Sequence, residues 1–360
     1  MIRLLATFAF VLATFATAPG QPKADLPDEK VAKAWEAAEA EYGMVEWSPT
    51  QTRRMFSRSR PPEKAGEIPA FHITPDTKLT ELKDAGVPFG LILQKQVGDG
   101  QIKSLPTFRN LQYVLAYGQP LTDAAAKDLA RQKGLRYIDL GRSKMTGAGM
   151  KDLATLPALE TLHVDSIKVG NVGLAELVKI KTLRDLNLDE SGVTYDALPA
   201  LTGLENLESL GLLAVGKTRG KLGEIGEWVT KLPKLRVCRM PTLTDSELKH
   251  VGDIRSLRDL RSGAKAATDA GIRDLVRAKD LESLTLGGLE LTAAGYKDLA
   301  SLKKLRRLVL FRSNITDAEL KAFAGMTSLK QLSLEETKVT DAGVAELKKA
   351  LPMLTVEKRE

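Results

Sequence analysis

A period constrains this sequence more than any other feature. An apolar residue recurs at Val87, Leu111, Leu135, Leu159, Leu183, Leu207, Leu235, Leu257, Leu281, Leu305, Leu329 and Leu354, and eight of the eleven spacings are 24 residues, the others being 28, 22 and 25. Three residues after each start stands a second core position, as in Val114, Ile138, Leu162, Leu186, Leu210 and Cys238. Two further on stands a third, as in Ala116, Leu140, Val164, Leu188, Leu212 and Met240. That spacing predicts a short strand whose fourth and sixth residues face a core while the third, fifth and seventh face away from it. Thr122, Thr146, Thr194, Thr244, Thr268, Thr292, Thr316 and Thr340 then recur, often followed by Asp, ahead of an apolar triplet such as Met150, Leu153, Leu156. Thr is suited to cap a helix N-terminus, and Asp in the first turn suits its positive end. Each copy is therefore strand, turn and short helix. None can bury its apolar face alone, so the copies must stack.

The copy at residues 329–350, LKQLSLEETKVTDAGVAELKKA, resembles the leucine-rich repeat family, in its short bacterial type related to ribonuclease-inhibitor-like arrays. The resemblance covers residues 87–356, about eleven repeats. It implies an α/β fold: a curved right-handed solenoid with a parallel sheet on the concave side, short helices on the convex side, and a partner bound on the concave face. The chain departs from the family pattern in three ways. The usual Asn or Cys at the ninth position is replaced, for example by Ser143, Ser191, Ser313 and Thr337. The Cys-rich caps of many extracellular members are missing. Ser262 and Ala267 weaken the repeat that starts at Leu257.

Residues 1–18, MIRLLATFAFVLATFATA, carry one positive charge at Arg3, an uncharged apolar run and an A-x-A ending, which predicts a signal peptide cut after Ala18 or Ala16. The run is shorter than the roughly 20 residues needed to cross a bilayer. The mature chain is thus expected to be exported, periplasmic or secreted, with no stable membrane anchor. Residues 25–86 form a separate segment, a cap or a linker. A helix is predicted over 28–41 with Val31, Trp35 and Ala38 on one stripe, and five prolines within 48–76 predict irregular structure. Arg53, Arg54, Arg58 and Arg60 there read as a solvated basic linker.

The residues that could carry chemistry are few. One cysteine excludes an intramolecular disulfide and a Cys-based zinc site, and His72, His163 and His250 lie far apart in sequence. Lys and Arg total 53 against 46 Asp and Glu, a surplus of 7 over 360 residues, too thin to indicate a nucleic-acid partner. Cys238 falls on a core position and reads as a buried, inert thiol. Gly211, Gly216, Lys217 and Thr218 match the phosphate-loop spacing. By register, however, Gly211 belongs to a strand, and Arg219-Gly220-Lys221-Leu222-Gly223 is a poor helix former, so the match reads as a Gly-rich insertion in the 28-residue repeat. No enzyme and no cofactor is expected.

The outward strand positions carry the functional expectation. Asp139, His163, Asn187, Gly211, Arg239 and Arg261 occupy successive copies of position five, flanked by Asp185 at position three and by Asp165 and Asp189 at position seven. Arg236, Arg258, Arg306, Arg307 and Arg312 follow, so the face is expected to be acidic in its first half and basic in its second. Tyr113, Tyr117 and Tyr137 border the acidic part, and Phe311 lies in the basic part. The expected contact set for a protein or peptide partner is Tyr113, Tyr137, Asp139, His163, Asp165, Asp185, Asn187, Asp189, Arg239, Arg261, Arg307 and Phe311. Two other readings stand beside it: a plain solvated sheet face, and a small-ligand or divalent-metal module centred on Asp139, His163 and Asp165.

Overall fold

The computed structural model describes residues 27–46, 56–58, 67–215 and 226–359. The predicted signal peptide, Arg53, Arg54, Arg60, Gly216, Lys217 and Thr218 lie outside the described residues.

The strands are β1 (Glu41–Glu46), β2 (Phe56–Arg58), β3 (Glu67–Ile73), β4 (Phe89–Leu93), β5 (Leu111–Leu115), β6 (Tyr137–Asp139), β7 (Thr161–His163), β8 (Asp185–Asn187), β9 (Ser209–Gly211), β10 (Val237–Arg239), β11 (Asp259–Gly263), β12 (Ser283–Gly287), β13 (Arg307–Phe311), β14 (Gln331–Glu335) and β15 (Thr355–Arg359). They form one sheet in the order β15 back to β3, then β1 and β2. The strands from β3 to β15 run parallel, while β1 is antiparallel to both β3 and β2.

Register follows the repeat. Ile138 faces Leu162, Leu162 faces Leu186, Leu186 faces Leu210, and Leu210 faces Cys238, all at position four. The 28- and 22-residue copies do not disturb this, because the length differences fall outside the strands. Leu186, Leu210 and Leu284 are buried, as are the helix triplets Met150, Leu153, Leu156 and Leu320, Phe323, Met326. Burying one such side chain is worth about 1.5–3 kcal/mol, so the stacked rows supply most of the cohesion. Cys238 is fully buried, and that burial pushes its thiol upward, away from the reactive thiolate. The repeat that starts at Leu257 still forms a strand: Ser262 is buried, and its hydroxyl lies 2.5 Å from the Pro241 carbonyl oxygen and 2.6 Å from that of Gly263, either of which can accept its single proton. In one copy a 3₁₀ segment, Tyr195–Gly203, replaces the α-helix. Pro199 within it has no N–H to donate and would clash with an α-helical turn.

Ahead of the repeats, the helix Glu29–Ala37 is capped by Asp28, which accepts from the Lys30 backbone N–H at 2.7 Å. Trp35 is fully buried, stacks on Phe71 with ring centroids 4.0 Å apart, and donates its indole N–H to the Lys83 carbonyl at 2.9 Å. The proline-bearing stretch is more regular than its composition predicts. β3 runs through Pro69, because burial of Ala70, Phe71 and Ile73 outweighs the single donor that proline lacks. Among the described residues no helix is long and apolar enough to cross a membrane.

Candidate functional site on the strand face

From β5 to β14 the register is constant, so the outward residues of successive strands meet in rows; between β4 and β5 it shifts at Phe89/Gly90, and Leu91, not Gly90, faces Val114. Asp139 faces His163, His163 faces Asn187, Asn187 faces Gly211, Gly211 faces Arg239, and Arg239 faces Arg261. His163 sits in the middle of the first cluster. Its Nδ1 lies 3.3 Å from the Tyr137 hydroxyl and 3.9 Å from Asp139 Oδ2, and its Nε2 lies 3.3 Å from Asp185 Oδ2. Asp139 also accepts the Gly141 backbone N–H at 3.1 Å.

A second set continues from there. The Asn187 amide donates to Asp165 Oδ1 at 3.0 Å and accepts the Asp189 backbone N–H at 3.0 Å. Asp189 accepts the Leu213 backbone N–H at 2.7 Å. Arg239 Nε lies 3.3 Å from Asp189 Oδ2, an ion pair by distance that lacks hydrogen-bond alignment. Burial pushes Asp165 above the usual carboxylate range, and the charge of Asp139 adds to the effect. Burial does the same to Asp189, against the opposing pull of Arg239.

Two glycines make this packing fit. A Cβ on Gly211 would come within 2.5 Å of both Arg239 Nη2 and Asn187 Oδ1, so Arg239 can reach across that strand to Asp189 only because position 211 has no side chain. A Cβ on Gly141 would lie 2.8 Å from Asp165 Oδ1 and 2.9 Å from the Tyr117 ring. Neither glycine was singled out for this role from the sequence. The available signal was a missing side chain in rows otherwise filled by large polar ones.

The geometry revises the expected division of the face. Tyr113 and Tyr137, expected as bordering contacts, are buried, with stacked rings 5.8 Å apart, and lie within the packing of the face. Tyr117 is the exposed tyrosine of the three, with Arg142 lying over its ring. Asp185 and Asn187 are also buried. Arg239 belongs to the acidic cluster, not to a basic half. Arg258 pairs with Asp280, Arg306 with Glu282, and Arg312 with Glu336, so those cations are locally compensated. Arg261 pairs with Asp259 at 3.2 Å on its own strand. Arg307 is exposed, and Phe311 is half-buried with its ring lying over Gly287.

The centre expected from Asp139, His163 and Asp165 does not converge on one point. His163 is engaged by Tyr137, Asp139 and Asp185, while Asp165 turns to Asn187. Among the described residues no group of three or more His, Cys, Asp or Glu side chains is placed to hold a metal ion. A shallow open cavity of about 350 Å³ lies on the rim beyond β7 and β8, lined by residues including Ser166, Lys168, Glu190 and Ser191.

No family model matches the sequence, and no curated protein matches it. Among solved structures, the chain is similar to the internalin inlF of Listeria monocytogenes, at 16% identity over 80% of this chain and 86% of that one, with a TM-score of 0.52. It also aligns with the internalin inlC2 of the same organism, at 15% identity over 71% of this chain and 88% of that one, with a TM-score of 0.39. The fold is a leucine-rich repeat solenoid. At this identity the likeness is one of architecture, and the chemistry of the face has to be argued from this chain's own residues.

Proposed function

We propose that this chain is an exported, non-catalytic scaffold that binds a protein or peptide on the strand face of its repeat array. One observation carries the reading. The array sets outward side chains in fixed register from β9 to β14, among them Arg239, Arg261, Arg307 and Phe311, a surface on which an extended partner can lie. Export rests on the Arg3-led apolar segment ending Ala16-Thr17-Ala18.

The test is a pull-down from an envelope extract with three full-length baits: the wild-type chain, Arg261→Glu on the strand face, and Lys297→Glu on the exposed side of the helix Ala293–Leu299. A bound protein that is depleted by Arg261→Glu and unaffected by Lys297→Glu supports the reading. Equal loss in both, or loss in Lys297→Glu alone, places binding elsewhere and overturns it. N-terminal sequencing of the protein recovered from outside the cytoplasm tests export: a first residue at Thr17 or Pro19 is expected, and an intact Met1 rejects it.

A further inference from the structure

The proposed binding reading leaves open which part of the strand face takes the partner and what the partner carries there. The first half of the face is internally compensated. Asp139, Asp165, Asp185 and Asp189 each hold a donor from this same chain. Their surroundings are tight as well: the side chains of Asp139, Asp185 and Asp189 are 18%, 9% and 17% exposed. A partner docking there would have to break existing bonds before making new ones.

The region from β11 to β14 is built differently. β12 presents Ser283, Thr285 and Gly287, and β14 presents Gln331, Ser333 and Glu335. Between these mostly small residues, β13 presents Arg307, Val309 and Phe311. At positions three, five and seven among the described residues, Arg307 is the one Arg or Lys with no carboxylate within ion-pair distance, and it is exposed. Phe311 is half-buried, and its ring lies over Gly287, where a Cβ would overlap it. Arg and aromatic side chains are the groups that most often anchor interfaces. Along an extended strand, the ends of this ridge are four residues apart, about 13 Å.

We propose that the strand face docks an extended acidic segment on β13, with a partner carboxylate on Arg307 and an apolar or aromatic partner side chain on Val309 and Phe311. Charge complementarity fixes the orientation. Arg307 is uncompensated at the position-three end, whereas Glu335 stands beside Phe311 at the position-seven end and disfavours a second carboxylate there. A guanidinium takes a carboxylate through two parallel N–H donors, which gives the contact direction as well as charge.

The test uses the full chain as bait for a phage-displayed library of random twelve-residue peptides at about 0.15 M salt, where charges beyond about 8 Å are screened. Recovered peptides are re-measured against Arg307→Glu, Phe311→Ala and Asp165→Asn, each variant first shown to be folded at the assay temperature. The inference expects an acidic residue and an apolar one in the consensus. Affinity should fall at least about tenfold in Arg307→Glu and several-fold in Phe311→Ala, with less than about twofold change in Asp165→Asn. A basic consensus that is lost in Asp165→Asn and kept in Arg307→Glu overturns the assignment to β13 while keeping the strand-face reading. Peptides that bind all three variants like the parent, or no enriched peptide at all, overturn the β13 assignment. In the first of those two cases a displaced Arg261→Glu control then separates failure of the strand-face reading from failure of this one: unchanged binding there rejects both.

Discussion

Asp317 holds Thr340 of the next repeat with both of its oxygens: Oδ1 accepts the Thr340 backbone N–H at 2.8 Å, and Oδ2 accepts the Thr340 hydroxyl at 2.6 Å. The same bond pair joins Asp99 to Thr122, Asp123 to Thr146, Asp245 to Thr268, and Asp269 to Thr292. The recurring Thr therefore has a second task beyond capping its own helix, since it is also the point where one repeat grips the next. Thr244 and Thr316 turn instead to a glutamate of their own helix: Glu319 accepts the Thr316 backbone N–H at 3.0 Å and its hydroxyl at 2.6 Å, and Glu247 accepts the same two donors of Thr244 at 2.8 and 2.9 Å. The copy before Thr316 has Ala293 at the Asp position, and Thr194 is held by Asn171. The third helix residue matches the choice in four of the five copies held by Asp, Ala125 standing after Thr122 where the others have glycine. Gly271, Gly295 and Gly343 sit where the preceding Asp enters, and a Cβ on any of them would collide with that carboxylate.

Removing the hydroxyl tests the staple. Thr146→Ala loses its bond to Asp123 Oδ2 at 2.7 Å and its cap on the Ala148 N–H at 3.2 Å. The expected cost is about 0.5–2 kcal/mol, measured by denaturant unfolding. Amide exchange should show the loss concentrated near repeats around residue 146, because contacts in a solenoid are between nearest neighbours. Equal loss of protection near Leu329 would contradict local coupling.

The alternation between Gly and Glu predicts a compensated pair. Gly271→Ala would gain helix propensity of about 1 kcal/mol elsewhere, but here its Cβ meets the Asp245 carboxylate, and overpacking of that kind costs about 1–3 kcal/mol. A net loss is expected. The double variant Gly271→Glu with Asp245→Ala should recover more than half of the stability lost by Gly271→Glu alone, since Thr268 can then use its own glutamate as Thr316 does. Strictly additive effects would show that the two capping modes are independent.

Acid should loosen the same contact. Bonds from the Thr340 hydroxyl and backbone N–H hold Asp317 below the usual carboxylate range. With the folded value depressed, the stabilising contribution is present above the ordinary value of about 4 and is lost as pH falls through the folded value. Exchange rates around Gly343, corrected for intrinsic pH dependence, should rise over that interval in the parent chain. In Asp317→Asn they should change little with pH.

The strand-face cluster should respond in the opposite sense. Burial raises Asp165, so its ionised form opposes folding at neutral pH, and the penalty disappears as pH falls through the raised value. Asp165→Asn keeps an oxygen that can accept from Asn187 and removes the repulsion with Asp139. A higher melting temperature at pH 7 is expected, worth at most about 1 kcal/mol after solvent screening. The gap between variant and parent should close near pH 4. A lower melting temperature at pH 7 would mean that the Asp165 charge is needed by Arg239.

The strand rows, the helix triplets and the capping threonines were legible because each repeats at a fixed interval, and a period of about 24 residues with positions four and six apolar admits few structures. The buried thiol of Cys238 followed from the same register. β3 was not legible, since Pro69 masks a strand whose support comes from Trp35 and Phe89, distant in sequence. The row order on the strand face was legible, and the way its side chains pair was not.

Periodicity alone decided the architecture, because the face each residue takes depends only on its place within a repeat, and stacking carries that choice unchanged from one strand to the next. The distribution of free charge was decided in three dimensions. Whether Arg239 and Arg307 are alike depends on what lies within about 4 Å of each. Arg239 crosses the bare Gly211 strand to Asp189, a partner 50 residues earlier, and is neutralised there. Arg307, an identical residue on the same face, finds Ser283 and Gln331 beside it and no carboxylate within reach.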